Sequence, residues 1–273
     1  RSGVREINLI AQDVTQYGYD LYQQFTLPRL LRELDAVDGI DWIRILYFYP
    51  NRLTDEVIEA MATLPKVLPY IDIPLQHTHP DTLRRMKRPW DGDRYLSLVQ
   101  KVRAAMPDVA IRTTFIVGFP GESEVEFKHL LDFVRSARLD RVGAFLFSRE
   151  EGTPSYDMPH QVHTKVKKER YERLMKAQQI VSLERNRSWI GREIDVLIDE
   201  EREGWKIGRS FRDAPEIDGW VAVQGDCRPG EIVKANITDA TEYDLFGAGG
   251  SQIGPASQRK LTALRMSGPH RPL

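Results

Sequence analysis

Two stretches of this chain put polar residues and glycines where apolar runs end. In Arg112-Thr113-Thr114-Phe115-Ile116-Val117-Gly118-Phe119-Pro120-Gly121-Glu122, a strand-like run meets two glycines and then a helix pattern. Glycines there let backbone approach a ligand at the C-terminal mouth of a parallel sheet. A tight connection without a ligand has the same pattern, and a surface ion pair would account for Arg112 and Glu122 equally well. In Asp72-Ile73-Pro74-Leu75-Gln76-His77-Thr78-His79-Pro80, two imidazoles are too few for a metal site, and the local sequence offers no carboxylate trio to complete one. Loop hydrogen bonding or capping of the next helix is the expected use of His77 and His79. Asp72 lies in an apolar run, so it points into a polar lumen or pairs with a cation. Gln76 is the better candidate for ligand contact.

Gln12-Asp13-Val14-Thr15-Gln16-Tyr17-Gly18 and Phe147-Ser148-Arg149-Glu150-Glu151-Gly152-Thr153-Pro154 end two further strand patterns. All four clusters sit at the same end of successive strands. A barrel would bring them to one mouth, where the active sites of that architecture lie.

The elements that must position these clusters are β-rich runs alternating with helix patterns. Residues 6–11, 42–49, 68–73, 110–117 and 141–147 read as strands. Thr54, Asp91 and Ser123 each precede a helix pattern as an N-cap. Such alternation implies βαβ units and a parallel sheet, here a partial barrel. A long helix over about 164–189 carries Lys165, Lys167, Lys168, Arg170, Arg173, Lys176, Arg185 and Arg187, expected as a solvated face, with pairing to an upstream domain or an RNA phosphate as the alternative.

From Gly191 the pattern changes to short strands at 193–198, 204–211, 219–223 and 231–239 with glycine-rich joints, which predicts a small antiparallel β-barrel. The expected organisation is an α/β partial barrel over 1–190, a β-barrel over 191–247 and a disordered Gly/Ser/Pro-rich tail over 248–273. The small barrel has seven basic and fourteen acidic residues, a net charge of −7, within a chain of 273 residues whose net charge is −1. Such a module repels a phosphate backbone and attracts a basic partner.

Cys227 is the only cysteine, so these residues cannot close an internal disulfide or supply the thiolates of an iron–sulfur cluster. It reads as a surface or half-buried thiol without a role. No apolar run suits a membrane span and no leader pattern opens the chain, so the expected location is the cytoplasm, with no membrane partner. The abrupt start near a strand reads as a fragment whose N-terminus lies elsewhere.

The runs Leu68 to His77, Met86-Lys87-Arg88-Pro89, Thr114 to Glu122 and Phe147 to Pro154 together resemble the radical S-adenosylmethionine methylthiotransferases, over nearly the whole chain to about Gly247. Gln12-Asp13-Val14-Thr15 and Gln76-His77-Thr78-His79-Pro80 are similar to the branch that modifies an aspartate of a small-subunit ribosomal protein. The branch acting on tRNA adenosine has Gln-Asn at the first site and Gln-Ser-Gly at the second. The resemblance implies a TIM-like partial (β/α) barrel that binds S-adenosylmethionine over a four-iron four-sulfur cluster, an upstream domain with a second cluster, and a C-terminal TRAM barrel.

Carried over by position, the resemblance assigns Gln76, Arg112, Ile116, Gly118, Glu122, Phe147 and Ser148 to the cofactor. It places Gln12, Asp13, Asp72 and His77 on the substrate side of the mouth. The family holds its cluster with a Cys-x-x-x-Cys-x-x-Cys loop that is absent here. The resemblance therefore places that loop before Arg1 and leaves this fragment with no cluster or other metal site and no activity of its own. The parent enzyme would transfer a methylthio group to the aspartate β-carbon, with the acidic barrel docking a basic ribosomal protein, and tRNA less suited to that surface. The rivals are a tRNA adenosine methylthiotransferase, a non-catalytic ribosome-binding module and, weakly, a hydrolase using Asp72 and Glu122.

Overall fold

The computed structural model describes residues 3–249, which form two compact units that divide between Ser182 and Leu183. In the first unit, strands β1 (Glu6–Leu9) and β2 (Trp42–Ile45) pair in parallel, as do β3 (Tyr70–Asp72), β4 (Ala110–Val117) and β5 (Arg141–Leu146). A single bridge, Ile43 to Val67, with Leu68 N donating to the Ile43 carbonyl at 2.9 Å, links the two groups. Five parallel strands in chain order thus make the wall of a partial barrel. Helices α1 (Tyr19–Tyr22), α2 (Leu27–Asp35), α3 (Asp55–Thr63), α4 (Pro80–Arg85), α5 (Gly92–Ala105) and α6 (Glu124–Ala137) connect them, and α7 (Thr164–Arg187) follows.

Local chemistry explains most helix starts. Thr54, Asp91 and Ser123 accept from the backbone N–H three residues on, and Ser123 with Glu126 forms a reciprocal capping box. Helix α2 has no matching expectation; Pro28 lies in its first turn, where the missing N–H costs nothing. The strand period of two then divides the residues. Ile43, Ile71, Ile111, Phe115, Val117, Val142 and Ala144 join the core with Val57, Leu98, Phe127 and Leu130 of the helices. Arg44, Asp72, Arg112, Thr114, Ile116 and Phe145 alternate with them on the lumen face.

The basic load of α7 is not all solvated. Lys167 and Arg170 are buried along with Leu174, Ala177 and Gln178, while Lys165, Lys168 and Lys176 remain exposed. The reason is a set of acceptors at the strand ends, described below, that these two cations satisfy. The division between units falls inside α7, because Asn186 at its end donates to the Thr241 carbonyl at 3.0 Å and Trp189 joins the core of the second unit.

The second unit is a closed barrel of β6 (Glu193–Arg202), β7 (Trp205–Arg209), β8 (Val221–Gln224), β9 (Ile232–Ala240) and β10 (Leu245–Gly249), in the order β10-β8-β7-β6-β9. Four pairings are antiparallel, but β10 closes against β8 in parallel, which the expected all-antiparallel barrel did not include. Ala248 and Gly249 belong to this last strand; the rest of the expected tail, 250–273, lies outside the described residues. Cys227 is not a surface thiol: it is 5% exposed, packs in the apolar core, and its pKa is raised by burial. Among the described residues no helix is long and apolar enough to cross a membrane.

Candidate functional site at the strand ends

The C-terminal ends of β2, β3, β4 and β5 meet in one hydrogen-bonded layer. Phe48 N donates to the Asp72 carbonyl at 2.8 Å, Gln76 N to the Thr114 carbonyl at 2.9 Å, Ile116 N to the Gln76 carbonyl at 2.8 Å and Phe147 N to the Val117 carbonyl at 2.9 Å. Gln76 and Ile116 are therefore neighbours across a main-chain bridge. Tyr47 and Gln76 have φ of 62° and 69°, left-handed values uncommon outside glycine and costly where the surroundings do not hold them. Gln76 is held by the two bonds just named; Tyr47 N donates to Asp72 Oδ2 at 3.2 Å.

Asp72 realises both expectations at once. It lies on the lumen face, fully buried, and its Oδ1 accepts from Arg112 Nη1 at 2.7 Å. The Arg112 cation is thus committed to Asp72, not to Glu122 at the surface. Ile116 is half-buried, while Phe145, one strand over in the same face, is 62% exposed. The lumen mouth consequently offers an apolar face beside a polar, charge-balanced floor.

The glycine turn is held from behind. Glu122 is buried; its Oε2 accepts from Gly118 N at 2.9 Å and its Oε1 from Arg170 Nη1 at 2.7 Å, while the same guanidinium nitrogen also donates to the Glu122 carbonyl at 2.9 Å. Burial pushes the Glu122 pKa up to about 7, with Arg170 opposing the rise. Gly118 has φ of 77°, and a Cβ there would lie 2.3 Å from Lys167 Cγ. Lys167 Nζ in turn donates to the Phe147 carbonyl at 2.8 Å, and Phe147 stacks edge-on against Phe119. Lys167 and Arg170 thus clamp the turn, a role that nothing in their local sequence signals.

The remaining expected residues divide. Gln12 and Ser148 are exposed, and Ser148 Oγ donates to the Glu150 carboxylate. Asp13 caps a short 3-10 turn, accepting from Thr15 N at 3.0 Å, and pairs with Arg52 at 2.6 Å. His77, expected at the mouth, is fully buried: its Nδ1 accepts from His79 N at 3.0 Å and its Nε2 faces Glu122 Oε2 at 3.6 Å. That backbone donor sets the neutral tautomer with the proton on Nε2, and burial holds the pKa down at about 3. Asp72 and Glu122 each close a separate ion pair, with Arg112 and Arg170, so the two are not joined as the carboxylate pair of the hydrolase reading.

Beside Asp81, two residues on, the fold brings Glu126 up to His79. Donor atoms of His79, Asp81 and Glu126 lie within 4.8 Å of one another. They are already committed: His79 Nδ1 caps α4 from Asp81 N, Arg84 donates to Asp81 at 2.6 Å, and Arg85 to Glu126 at 2.9 Å. A guanidinium on each carboxylate opposes a bound cation. The trio anchors the starts of α4 and α6.

Two family models match the chain: the radical SAM superfamily over residues 1–134 and the TRAM domain over 190–248. The chain is 51% identical over 250 residues to a ribosomal protein uS12 methylthiotransferase RimO from Desulforamulus reducens, covering 90% of this chain and 56% of that protein. A protein of the same name from Chloroflexus aurantiacus is 51% identical over 251 residues, covering 90% and 55%. The chain thus spans little more than half the length of these relatives. With both domains in order and half of the residues shared along nine-tenths of its length, the chain belongs to the radical S-adenosylmethionine methylthiotransferase family.

Proposed function

We propose that this chain is the cofactor-binding barrel and C-terminal TRAM domain of an enzyme that transfers a methylthio group to the β-carbon of an aspartate in a small-subunit ribosomal protein. The observation that carries the reading is the joined mouth, where the Gln76 and Ile116 main chains meet beside the Asp72–Arg112 pair and the exposed Phe145. An apolar face next to hydrogen-bonding groups suits the adenine and ribose of S-adenosylmethionine. Bound there, that cofactor supplies a hydrogen-abstracting organic radical and, in a second use, a methyl group.

The chain's own residues bind and orient. Ile116, Phe147 and the Gly118 turn offer the adenine side. Arg112 and Thr114 offer polar contact from the lumen, and the buried Glu122–Arg170 clamp keeps the turn rigid. Gln12 and Asp13 border the substrate side. An iron–sulfur cluster does not fit the residues present, since Cys227 is sealed in the core of the small barrel. On this reading the thiolates for both clusters come from the part of the longer protein that precedes Arg1, and the enzyme works in the cytoplasm.

The net charge of −7 on the TRAM segment supports docking of a basic ribosomal protein over a tRNA backbone. The test incubates reconstituted full-length enzyme with ribosomal protein and, separately, with tRNA. A gain of one methylthio group on a protein aspartate is expected; a gain on tRNA alone overturns the reading. Complex formation should weaken measurably on adding roughly 0.2–0.3 M salt.

A further inference from the structure

Beside the mouth lies a small open cleft whose lining includes Tyr49, Pro74, Arg88, Pro89, Trp90 and Tyr95. Tyr49 follows β2 and Pro74 precedes Gln76, so the cleft opens at the same strand ends as the candidate cofactor site. Its walls are stiff: three of its eight lining residues are aromatic, three are prolines, and Trp90 packs on Tyr95 at 5.8 Å.

Arg88 stands apart from the arginines around it. Arg84 donates to Asp81 at 2.6 Å, Arg85 to Glu126 at 2.9 Å and Arg52 to Asp13 at 2.6 Å. Arg88 is half-buried and lies 5.4 Å from the Tyr49 ring, and among the described residues no carboxylate comes within ion-pair distance of it. A partly desolvated guanidinium, stacked and uncompensated, is prepared for a planar anion, and a carboxylate matches its fork. The space it encloses is about one water in size, so the tip of one side chain of a larger partner can enter it and a free small molecule cannot.

We propose that Arg88 receives the carboxylate of the substrate aspartate, with Tyr49 and Trp90 walling the cleft around it, so that an acidic residue and not a nucleobase is selected at this mouth. The inference rests on the ribosomal-protein reading above. It makes Arg88 a specificity-determining residue that touches the substrate.

The test measures binding of the ribosomal protein, and separately of S-adenosylmethionine, to reconstituted full-length enzyme carrying Arg88→Gln or Arg88→Lys. The aspartate that gains mass in the wild-type reaction is also replaced in the substrate by Asn. Arg88→Gln and the Asn substrate should each weaken protein binding by about 10- to 30-fold, and together by no more than either alone. Arg88→Lys should recover part of the loss, and affinity for S-adenosylmethionine should not move.

Wild-type affinity of Arg88→Gln for the unaltered substrate overturns the proposal, as do two losses that multiply. A loss confined to S-adenosylmethionine also overturns it and assigns Arg88 to the carboxylate of the cofactor. If the Arg88 variants fail to fold, the Asn substrate still decides on the unaltered enzyme, where undiminished binding overturns the carboxylate contact. Failure of the wild-type enzyme to bind or modify the ribosomal protein sinks the underlying function instead, and is seen before any variant is compared.

Discussion

The two barrels differ in where their ion pairs join distant parts of the chain. In the large one, beside surface pairs such as Arg29 with Glu33, three pairs lie inside and join elements far apart in the chain: Arg44 with Glu6, Asp72 with Arg112, and Glu122 with Arg170, the last 48 residues apart. In the second unit Arg212 and Asp213 are buried, while the pairs of Arg202 with Glu200, Lys206 with Glu201 and Lys234 with Glu193 lie exposed on the strands. Buried pairs require their partners at fixed positions, since losing one leaves a charge without solvent or counter-ion. Exposed pairs exchange their partners for water at little cost. The inner pairs of the large barrel hold its mouth in shape, while the small one leaves most of its acidic groups on the surface.

The largest effect should come from removing one buried partner. Arg170→Met is expected to destabilise the large barrel by about 3–5 kcal/mol in denaturant unfolding, because Glu122 is left buried without its cation. Adding Glu122→Gln to that variant should restore part of the loss. A loss below about 1 kcal/mol would erase the contrast between the barrels.

Glycine replacements sharpen it next. Gly118→Ala combines a left-handed φ with overlap on Lys167 and should cost about 2–3 kcal/mol. Gly230→Ala, where φ is 88° but the space is open, should cost only about 1 kcal/mol. Comparable losses at both sites would mean that Lys167 yields freely and does not clamp the turn.

The buried acid and imidazole predict a pH signature confined to the large barrel. Glu122, raised to about 7, holds a proton in the folded state between its unfolded value near 4.5 and 7, so its contribution to stability falls as pH rises through that window. His77, lowered to about 3, lacks in the folded state a proton that the unfolded chain holds up to about 6.5, so its contribution rises with pH. Over about pH 4.5–6.5 the two oppose each other. Glu122→Gln should therefore make unfolding free energy climb more steeply with pH, and His77→Gln should make it fall, each by as much as about 1.4 kcal/mol per pH unit. Parallel pH profiles in the wild type and both variants would remove the paired titration. The smallest effect is expected at Lys234→Met in the small barrel, within about 0.5 kcal/mol and smaller still in high salt.

Much of this was legible before any coordinates. The strand over 110–117 has the bounds its apolar run suggests, and Ser123, Asp91 and Thr54 cap helices as their side chains predict. Those signals are local, acting within one strand or one helical turn. The placement of His77 was not legible, because burial depends on the Gly118 turn packing over it. Strand β10 was missed as well: Leu245-Phe246-Gly247-Ala248-Gly249 has too few β-branched residues to announce a strand, and it forms by closing the barrel between β8 and β9.

Amino-acid order alone was enough for a partial α/β barrel followed by a small β-barrel, and for the lone cysteine that excludes a cluster held by these residues. Hydrophobic period, caps and composition act over a few residues, and they survive without knowledge of the fold. The fold alone decided which charges meet: that Arg112 answers Asp72, that Arg170 and Lys167 reach back from α7 to the glycine turn, and that Arg88 is left without a carboxylate. Such pairings depend on contacts between distant segments, and burial then makes each one costly to break.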